Sequence, residues 1–190
     1  MSLAGNEDEA ELVNRTQNGD SAAFQILLRR YLPMINSYAA RMLGNQADAA
    51  DIAQEVFIRF WQKSSSFDAR KAKLGTWLHQ IARNLCIDHF RQQRNLETGV
   101  TDNMLETEAA TDSDQYQITT ESSSAIKQAL AALPERQRSA LLFCHYQGLS
   151  NKQAAEILEV SIDALESLLS RARRGLRGHL HHQLEELKHG

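Results

Sequence analysis

The fold is decided by the stretch Asn151-Lys-Gln-Ala-Ala-Glu-Ile-Leu-Glu-Val-Ser-Ile-Asp-Ala-Leu-Glu-Ser-Leu-Leu-Ser-Arg-Ala-Arg-Arg174. Two short segments in it place apolar side chains on one helical face, first Ala154, Ala155 and Leu158, then Leu165, Leu168 and Leu169. Between them Val160 begins a turn, and Ser161 is suited to cap the second helix. The stretch predicts a helix-turn-helix.

The outer face of the second helix is polar. It carries Asp163, Glu166, Ser167, Ser170, Arg171 and Arg174. Such a helix fits the DNA major groove, where these side chains can reach base edges and phosphates. The alternative is a solvated helix in any small bundle, since arginines also favour a helix C-terminus through the helix dipole. The pattern favours a reader of duplex DNA.

The charge of the chain is unevenly distributed. The net charge is −3, but residues 98–124 hold six acidic side chains and no basic one. Residues 1–97 hold 12 basic and 11 acidic groups, and residues 125–190 hold nine and seven. The negative balance therefore lies in one stretch, and its neighbours are neutral to mildly basic, which is compatible with nucleic-acid binding.

Helical spacing extends over the chain except in residues 95–120, which are rich in Thr, Asp, Glu and Ser. Such a composition predicts a flexible acidic linker. We therefore expect an all-α protein of two small helical domains, 1–94 and 122–190, joined by a linker over 95–121, with four helices in the second domain. In the first domain Asp20 should cap a helix, and another should follow Pro33 and end near Gly44.

Residues 48–63 predict a strongly amphipathic helix. One arc holds the apolar side chains of Ala49, Ile52, Ala53, Val56, Phe57, Phe60 and Trp61. The other arc holds Asp48, Asp51, Gln54, Glu55 and Arg59, with Ile58 among them. An exposed isoleucine in this position is either a partner contact or an ordinary surface residue.

A basic stretch follows this helix. Phe67 and Trp77 bracket Arg70, Lys71 and Lys73, and residues 68–94 hold six Lys or Arg against two Asp. Cations interleaved with aromatic rings suit single-stranded nucleic acid, whose phosphates and bases they contact. The alternative is that Phe67 and Trp77 anchor the core and the basic loop is merely solvated.

Other classes of function find little support. Cys86 and Cys144 are far apart in apolar contexts, which predicts free thiols, and the His residues near 179–182 lack an enclosing cluster. We see no phosphate loop, nucleophile–base pair, membrane span or signal peptide. We expect a cytoplasmic protein that is no enzyme and has no cofactor or metal. A helix-turn-helix regulator that senses a ligand would need neither the basic-aromatic stretch nor the acidic linker.

These segments, in this order, resemble the extracytoplasmic-function group of sigma-70-type bacterial RNA polymerase sigma factors. The matching segments are Asp48–Trp61, Phe67–Arg91, Ala132–Arg138 with Gly148–Ser150, and the helix-turn-helix. The resemblance implies promoter DNA and the polymerase core as partners, the core through the clamp helices of its largest subunit and its flap. It also implies an anti-sigma factor as an inhibitor.

The resemblance also implies roles for single residues. Core binding would fall to Asp48, Asp51, Gln54, Glu55 and Ile58. The minus-ten element would be read by Phe67, Arg70, Lys71, Lys73, Trp77, Asn84, Asp88 and Arg91. The minus-thirty-five element would be read by Glu166, Ser167, Ser170, Arg171 and Arg174. Glu159 departs from the family, which usually has glycine in this turn, so we expect a strained backbone there.

Overall fold

The structure, a computed structural model, describes residues 8–69, 71–97 and 120–189. These residues form eight α-helices and no strand, which confirms the predicted all-α fold. Arg70 and residues 98–119, which include most of the predicted linker, lie outside the described residues. We call residues 8–69 with 71–97 the N-terminal part and residues 120–189 the C-terminal part.

The N-terminal part contains four helices, α1 (Glu9–Gln17), α2 (Ser21–Leu43), α3 (Gln46–Lys63) and α4 (Leu74–Glu97). The carboxylate of Asp20 accepts from the amides of Ala22 and Ala23 at 2.9 and 3.1 Å, as predicted for the cap of α2. Gly44 ends α2 in the left-handed region, with φ 77°. A short 3-10 turn, Ser64–Ser66, follows α3.

The helices differ from the sequence-based expectations in three details. Helix α2 continues through Pro33, where the sequence predicted a new helix. Proline removes one N–H donor, but Leu27 and Ile35, buried on either side of it, hold the helix together through packing. Helix α1 was not predicted, and α4 and α5 extend a few residues into the expected linker.

The C-terminal part contains α5 (Thr120–Ala131), α6 (Glu135–Leu141), α7 (Asn151–Leu158) and α8 (Ile162–His189). A π-helical turn, Leu142–Tyr146, continues α6. Ser150 and Gln153 form a reciprocal capping box at the start of α7. The hydroxyl of Ser161 accepts from the Ala164 amide at 3.1 Å, so the predicted cap of α8 is confirmed.

The turn of the helix-turn-helix is strained as expected. Glu159 ends α7 in the left-handed region, with φ 55° and ψ 49°, and it is the one non-glycine residue with positive φ among the described residues. A Cβ atom makes this conformation unfavourable.

The two parts share one buried core. Tyr38 of α2 and Phe143 of the π-helical turn are fully buried, and their rings stack 4.7 Å apart at an interplanar angle of 11°. Periodicity along the chain predicted which faces are buried but not this contact between the parts.

Candidate functional site

An open apolar groove of about 890 Å³ lies between α2 and α3. Its walls include Leu32, Ile58 and Trp61, which are 37%, 41% and 40% exposed. The predicted exposure of Ile58 is confirmed, whereas Trp61, which the sequence places on the apolar arc with the buried side chains, is itself exposed. The Trp61 ring meets Phe24 edge-on at 5.0 Å but sits at the rim of the apolar arc, so packing covers only part of it. The groove can accept an apolar partner surface.

The polar residues predicted beside Ile58 differ in their availability. Asp51 and Gln54 are exposed on the same face of α3. Asp48 lies 3.4 Å from His89 of α4, and Glu55 accepts from Arg59 at 2.7 Å. The structure thus places Asp51 and Gln54 as exposed neighbours of the groove. Asp48, partly buried, faces His89, and Glu55 is a partly buried member of an ion pair with Arg59.

The segment before α4 separates its cations from its aromatic rings. Lys71 and Lys73 are exposed, while Phe67 is 6% exposed and its ring centroid lies 5.2 Å from that of Trp77. Trp77, partly buried, also meets Phe60 at 5.9 Å. The alternative in which both rings anchor the core therefore agrees with the packing. Among the described residues of this segment, Lys71 and Lys73 are the side chains that offer a positive charge to a ligand.

Helix α1 holds the start of this segment in place. The side-chain amide of Gln17 donates to the carbonyl oxygens of Ser64 and Phe67, at 2.8 and 2.7 Å. Sequence analysis missed this role, since a glutamine in a polar stretch gives no signal of its partner.

Helix α4 carries a polar face. Asn84, Asp88 and Arg91 are exposed at a helical spacing that puts them on one side. Arg83 donates to the Asn84 side chain at 3.2 Å, and Arg91 pairs with Asp88 at 3.5 Å. The face therefore offers both hydrogen-bond donors and acceptors on one side of α4.

The outer face of α8 is open to solvent over its first four turns. All five residues predicted to read DNA are exposed there, namely Glu166, Ser167, Ser170, Arg171 and Arg174. Leu165, Leu169 and Ala172 are buried on the opposite side, and α7 packs against them. The helix thus presents a polar face as a recognition helix does.

Thiol and metal chemistry have little support. Both cysteines are free; Cys86 is buried, which raises the pKa of its thiol to about 12, and burial also raises the pKa of half-buried Cys144. Within the described ranges, no group of three His, Cys, Asp or Glu side chains is placed to hold a metal ion. No helix in that part of the chain has the length and apolar character to cross a membrane.

Comparisons with known proteins match this arrangement. Residues 27–96 match the family model of sigma-70 region 2, and residues 123–176 match that of sigma-70 region 4. The ECF RNA polymerase sigma factor SigW of Bacillus subtilis is 30% identical over 177 residues, which are 88% of this chain and 94% of SigW. The RNA polymerase sigma-H factor of Pseudomonas aeruginosa is 29% identical over 90% of this chain and 92% of its own.

A solved structure agrees with the sequence matches. The sigma factor RpoE of Bartonella quintana, in complex with the anti-sigma factor NepR, superposes with a TM-score of 0.67 and 28% identity. The match covers 83% of this chain and 96% of RpoE.

These matches cover both the segment that carries the groove and α4 and the segment that carries the helix-turn-helix. The chain belongs to the extracytoplasmic-function group of the sigma-70 family of RNA polymerase sigma factors. It is an alternative sigma factor that directs transcription initiation.

Proposed function

We propose that the outer face of α8 reads the minus-thirty-five element in the major groove. The exposed row from Glu166 to Arg174 is the observation that carries this proposal. Arg171 and Arg174 are suited to phosphates or guanine, and Glu166 can accept from a cytosine amino group. The domain that carries this helix would span residues 122–190, with 1–94 as the domain of region 2 and 95–121 as the linker.

The minus-ten element would be read by the segment before α4 and by the polar face of α4. Lys71 and Lys73 would hold the phosphates of the separated non-template strand, and Asn84, Asp88 and Arg91 would contact bases or backbone beside them. Phe67 and Trp77 would act by supporting this surface from below, since they pack on each other. Arg70 belongs to the same proposal from its sequence position.

The groove between α2 and α3 would bind the polymerase core. Ile58 would sit in the centre of the contact, with Leu32 and Trp61 adding apolar area and Asp51 and Gln54 forming a polar rim. Asp48 would contribute from its place beside His89, and Glu55 from its ion pair with Arg59. The occupant would be the clamp helices of the largest subunit, and the C-terminal part would contact the flap.

An anti-sigma factor would hold this chain inactive. The support is the likeness to RpoE of Bartonella quintana, which was solved in complex with NepR. The protein would act in the cytoplasm, where the polymerase is, and would have no catalytic activity, cofactor or metal of its own. Its work would consist of binding and separating DNA strands.

In vitro transcription tests the proposal directly. Purified chain and core polymerase, mixed with genomic fragments, should yield transcripts that begin at defined positions downstream of a shared pair of sequence elements. Arg174→Ala should reduce these transcripts, while Arg177→Ala, an equal loss of charge further along α8, should leave them near the unaltered level. If the core with the chain yields no more defined transcripts than the core alone, the proposed function is wrong.

A further inference from the structure

Helix α1 ends at Gln17, before the residues that match sigma-70 region 2. One face of the helix is buried in the core through Leu12 and Val13. Thr16, also buried, donates its hydroxyl to the Leu12 carbonyl at 2.8 Å. A helix of nine residues is marginal in isolation, so this packing is what holds it. From this fixed position the polar side chains of α1 reach neighbouring segments.

Gln17 connects the last turn of α1 to the start of the segment before α4. Its amide nitrogen carries two N–H donors, and two acceptors lie within reach, the carbonyl oxygens of Ser64 at 2.8 Å and Phe67 at 2.7 Å. The Phe67 amide itself donates to the Ser64 carbonyl at 3.0 Å. These three bonds fix the direction in which the chain leaves the 3-10 turn.

Tyr31 connects the other end of α1 to the first turn of α4. Its hydroxyl donates to the Glu9 carboxylate. The edge of its ring lies against Gly75, where an added Cβ atom would be 3.2 Å from the ring. Burial, with a further contribution from Glu9, raises the pKa of Tyr31, so the hydroxyl keeps the proton that it donates. Helix α1 thus reaches both ends of the segment.

Between these ends the chain forms a short turn that carries the lysines. The amides of Lys71 and Ala72 donate to the Asp68 carbonyl at 3.0 and 3.3 Å. The Nζ atom of Lys71 lies 3.9 Å from the Asp68 carboxylate, but the Lys71 side chain is 84% exposed. The position of this turn therefore depends on where the two ends of the segment are attached.

Attachment of the segment has a consequence for binding. A loop that becomes ordered only when it binds loses affinity, because the entropy of ordering is subtracted from the free energy of its contacts. A loop that is already held in its binding position avoids this loss. Lys71 and Lys73 have long, flexible side chains, so the position of their backbone is what the fold can fix in advance.

We propose that α1 positions the segment before α4 for binding of the unpaired minus-ten strand, with Gln17 as the positioning residue. This inference rests on the proposed function, in which Lys71 and Lys73 hold the phosphates of that strand. It deepens that function because α1 would set the affinity for the strand without contacting DNA. Tyr31 would have a lesser positioning role, since its ring can pack on Gly75 without the hydroxyl.

Gln17→Met is the variant that removes both donors. Methionine has nearly the same length and no charge, so the carbonyls of Ser64 and Phe67 lose a partner while the side chain still fills its place. Gln17→Lys is the rescue variant, because an ammonium group can donate to both carbonyls. Two exposed positions supply controls: Gln46→Met repeats the change on α3, and Asn14→Lys adds the charge of the rescue variant one turn earlier on α1.

Amide hydrogen exchange of the full chain gives the first measurement, without polymerase or DNA. The amides of Phe67, Lys71 and Ala72 donate within the segment and should exchange about fivefold faster in Gln17→Met than in the native chain. Gln17→Lys and Gln46→Met should keep the native rates. Unchanged exchange in Gln17→Met would overturn the proposal. An equal rise in α2 and α3 would overturn it too, because Gln17 would then act on the whole fold.

Promoter binding by the holoenzyme of chain and core polymerase gives the second measurement. One probe holds only the minus-thirty-five duplex of a promoter recovered by the transcription assay, and the other adds the unpaired minus-ten strand. The ratio of the two affinities is the gain from that strand. Gln17→Met should lower this ratio about fivefold and Tyr31→Phe about twofold, whereas Gln17→Lys should match Asn14→Lys. A native ratio in a folded Gln17→Met variant would overturn the role of α1.

Failure of the proposed function would look different. If the native holoenzyme gained nothing from the unpaired strand, the assignment of the segment to the minus-ten element would be wrong, whatever the exchange rates. If the native holoenzyme gains from the strand and Gln17→Met keeps the whole gain, the role of α1 alone is wrong.

Discussion

The groove between α2 and α3 and the outer face of α8 are both open to solvent, yet their chemistry is opposite. The groove exposes Leu32, Ile58 and Trp61, whereas α8 exposes two arginines, two serines and a glutamate. An apolar surface gains affinity by leaving water, and a cationic face gains it by releasing counterions from DNA. One chain therefore carries two binding surfaces that should respond to different perturbations.

The largest effect should come from a charge placed in the groove. Ile58→Asp should lower affinity for the polymerase core about 30-fold or more, because about 2 kcal/mol is lost when a carboxylate is buried at the centre of an apolar contact. Binding of the minus-thirty-five duplex should not change. Fluorescence anisotropy with labelled core and labelled DNA measures both affinities.

Ile126→Asp is the matched control for this prediction. Ile126 of α5 is 38% exposed, close to the 41% of Ile58, but does not line the groove. If both variants weaken core binding equally, the groove is not the docking surface, and the contrast with α8 loses its basis.

Acid should lower the stability of the folded protein and so affect both surfaces. His79 is buried between Tyr38 and Phe143, its Nδ1 atom lies 2.7 Å from the Gly75 carbonyl oxygen, and burial holds its pKa below the ordinary 6.5. The unfolded chain therefore takes up this proton first. The stabilisation is complete above pH 6.5 and is lost as the pH falls towards the folded-state pKa, by at most about 1.4 kcal/mol per pH unit.

Urea unfolding between pH 7.5 and 5 measures this loss. His79→Gln should be less stable throughout, but its free energy of unfolding should depend less on pH over the same range, since glutamine does not titrate. Identical slopes in the two proteins would assign the acid loss to other groups. Acid should weaken the binding of core and of DNA together, which salt should not do.

Salt should separate the two surfaces. Arg171→Ala should weaken the minus-thirty-five duplex about fivefold and reduce the salt dependence of its binding by about one counterion, because one phosphate contact is lost. Core affinity should stay the same at all salt concentrations tested. A titration series between about 50 and 200 mM salt suffices if each affinity is resolved to about 0.2 kcal/mol.

Arg177→Ala is the control for the loss of one positive charge. Arg177 is exposed on α8 about two turns beyond Arg171. An equal loss of affinity in both variants would indicate a general attraction to DNA rather than a contact at the recognition surface.

Sequence patterns predicted most of each surface but not its surroundings. The spacing of Leu165 and Leu169 defines the outward side of α8, because residues four apart lie on the same face and these two leucines mark the inner one. Trp61 was placed wrongly because it lies at the rim of the arc, where burial depends on Phe24 of another helix. Pro33 was read as a boundary because local rules overestimate one lost hydrogen bond in a well-packed helix.

The contact between the parts was beyond the reach of sequence patterns. Periodicity indicates which face of a helix is buried, but burial alone does not say which side chain lies opposite, as Tyr38 and Phe143 illustrate. Arg138 shows the same difficulty. An arginine in a polar segment predicts a solvated cation, whereas here it is buried because two helix ends offer it free carbonyls. Those carbonyls come from distant segments, which only the fold brings together.

The smallest effect concerns the turn between α7 and α8. Glu159 holds a left-handed conformation that glycine adopts without strain, so Glu159→Gly should stabilise the folded chain by about 0.5–1 kcal/mol. The gain is reduced because glycine also makes the unfolded chain more flexible.

Glu159→Ala, which keeps the Cβ atom and removes the charge, is the control and should not stabilise the protein. Thermal unfolding of the three proteins measures the difference. If alanine stabilises as much as glycine, the cost at this position comes from the carboxylate rather than from the backbone. In either case the affinity for the duplex should stay the same, because relief of strain in the turn leaves the exposed face of α8 unchanged.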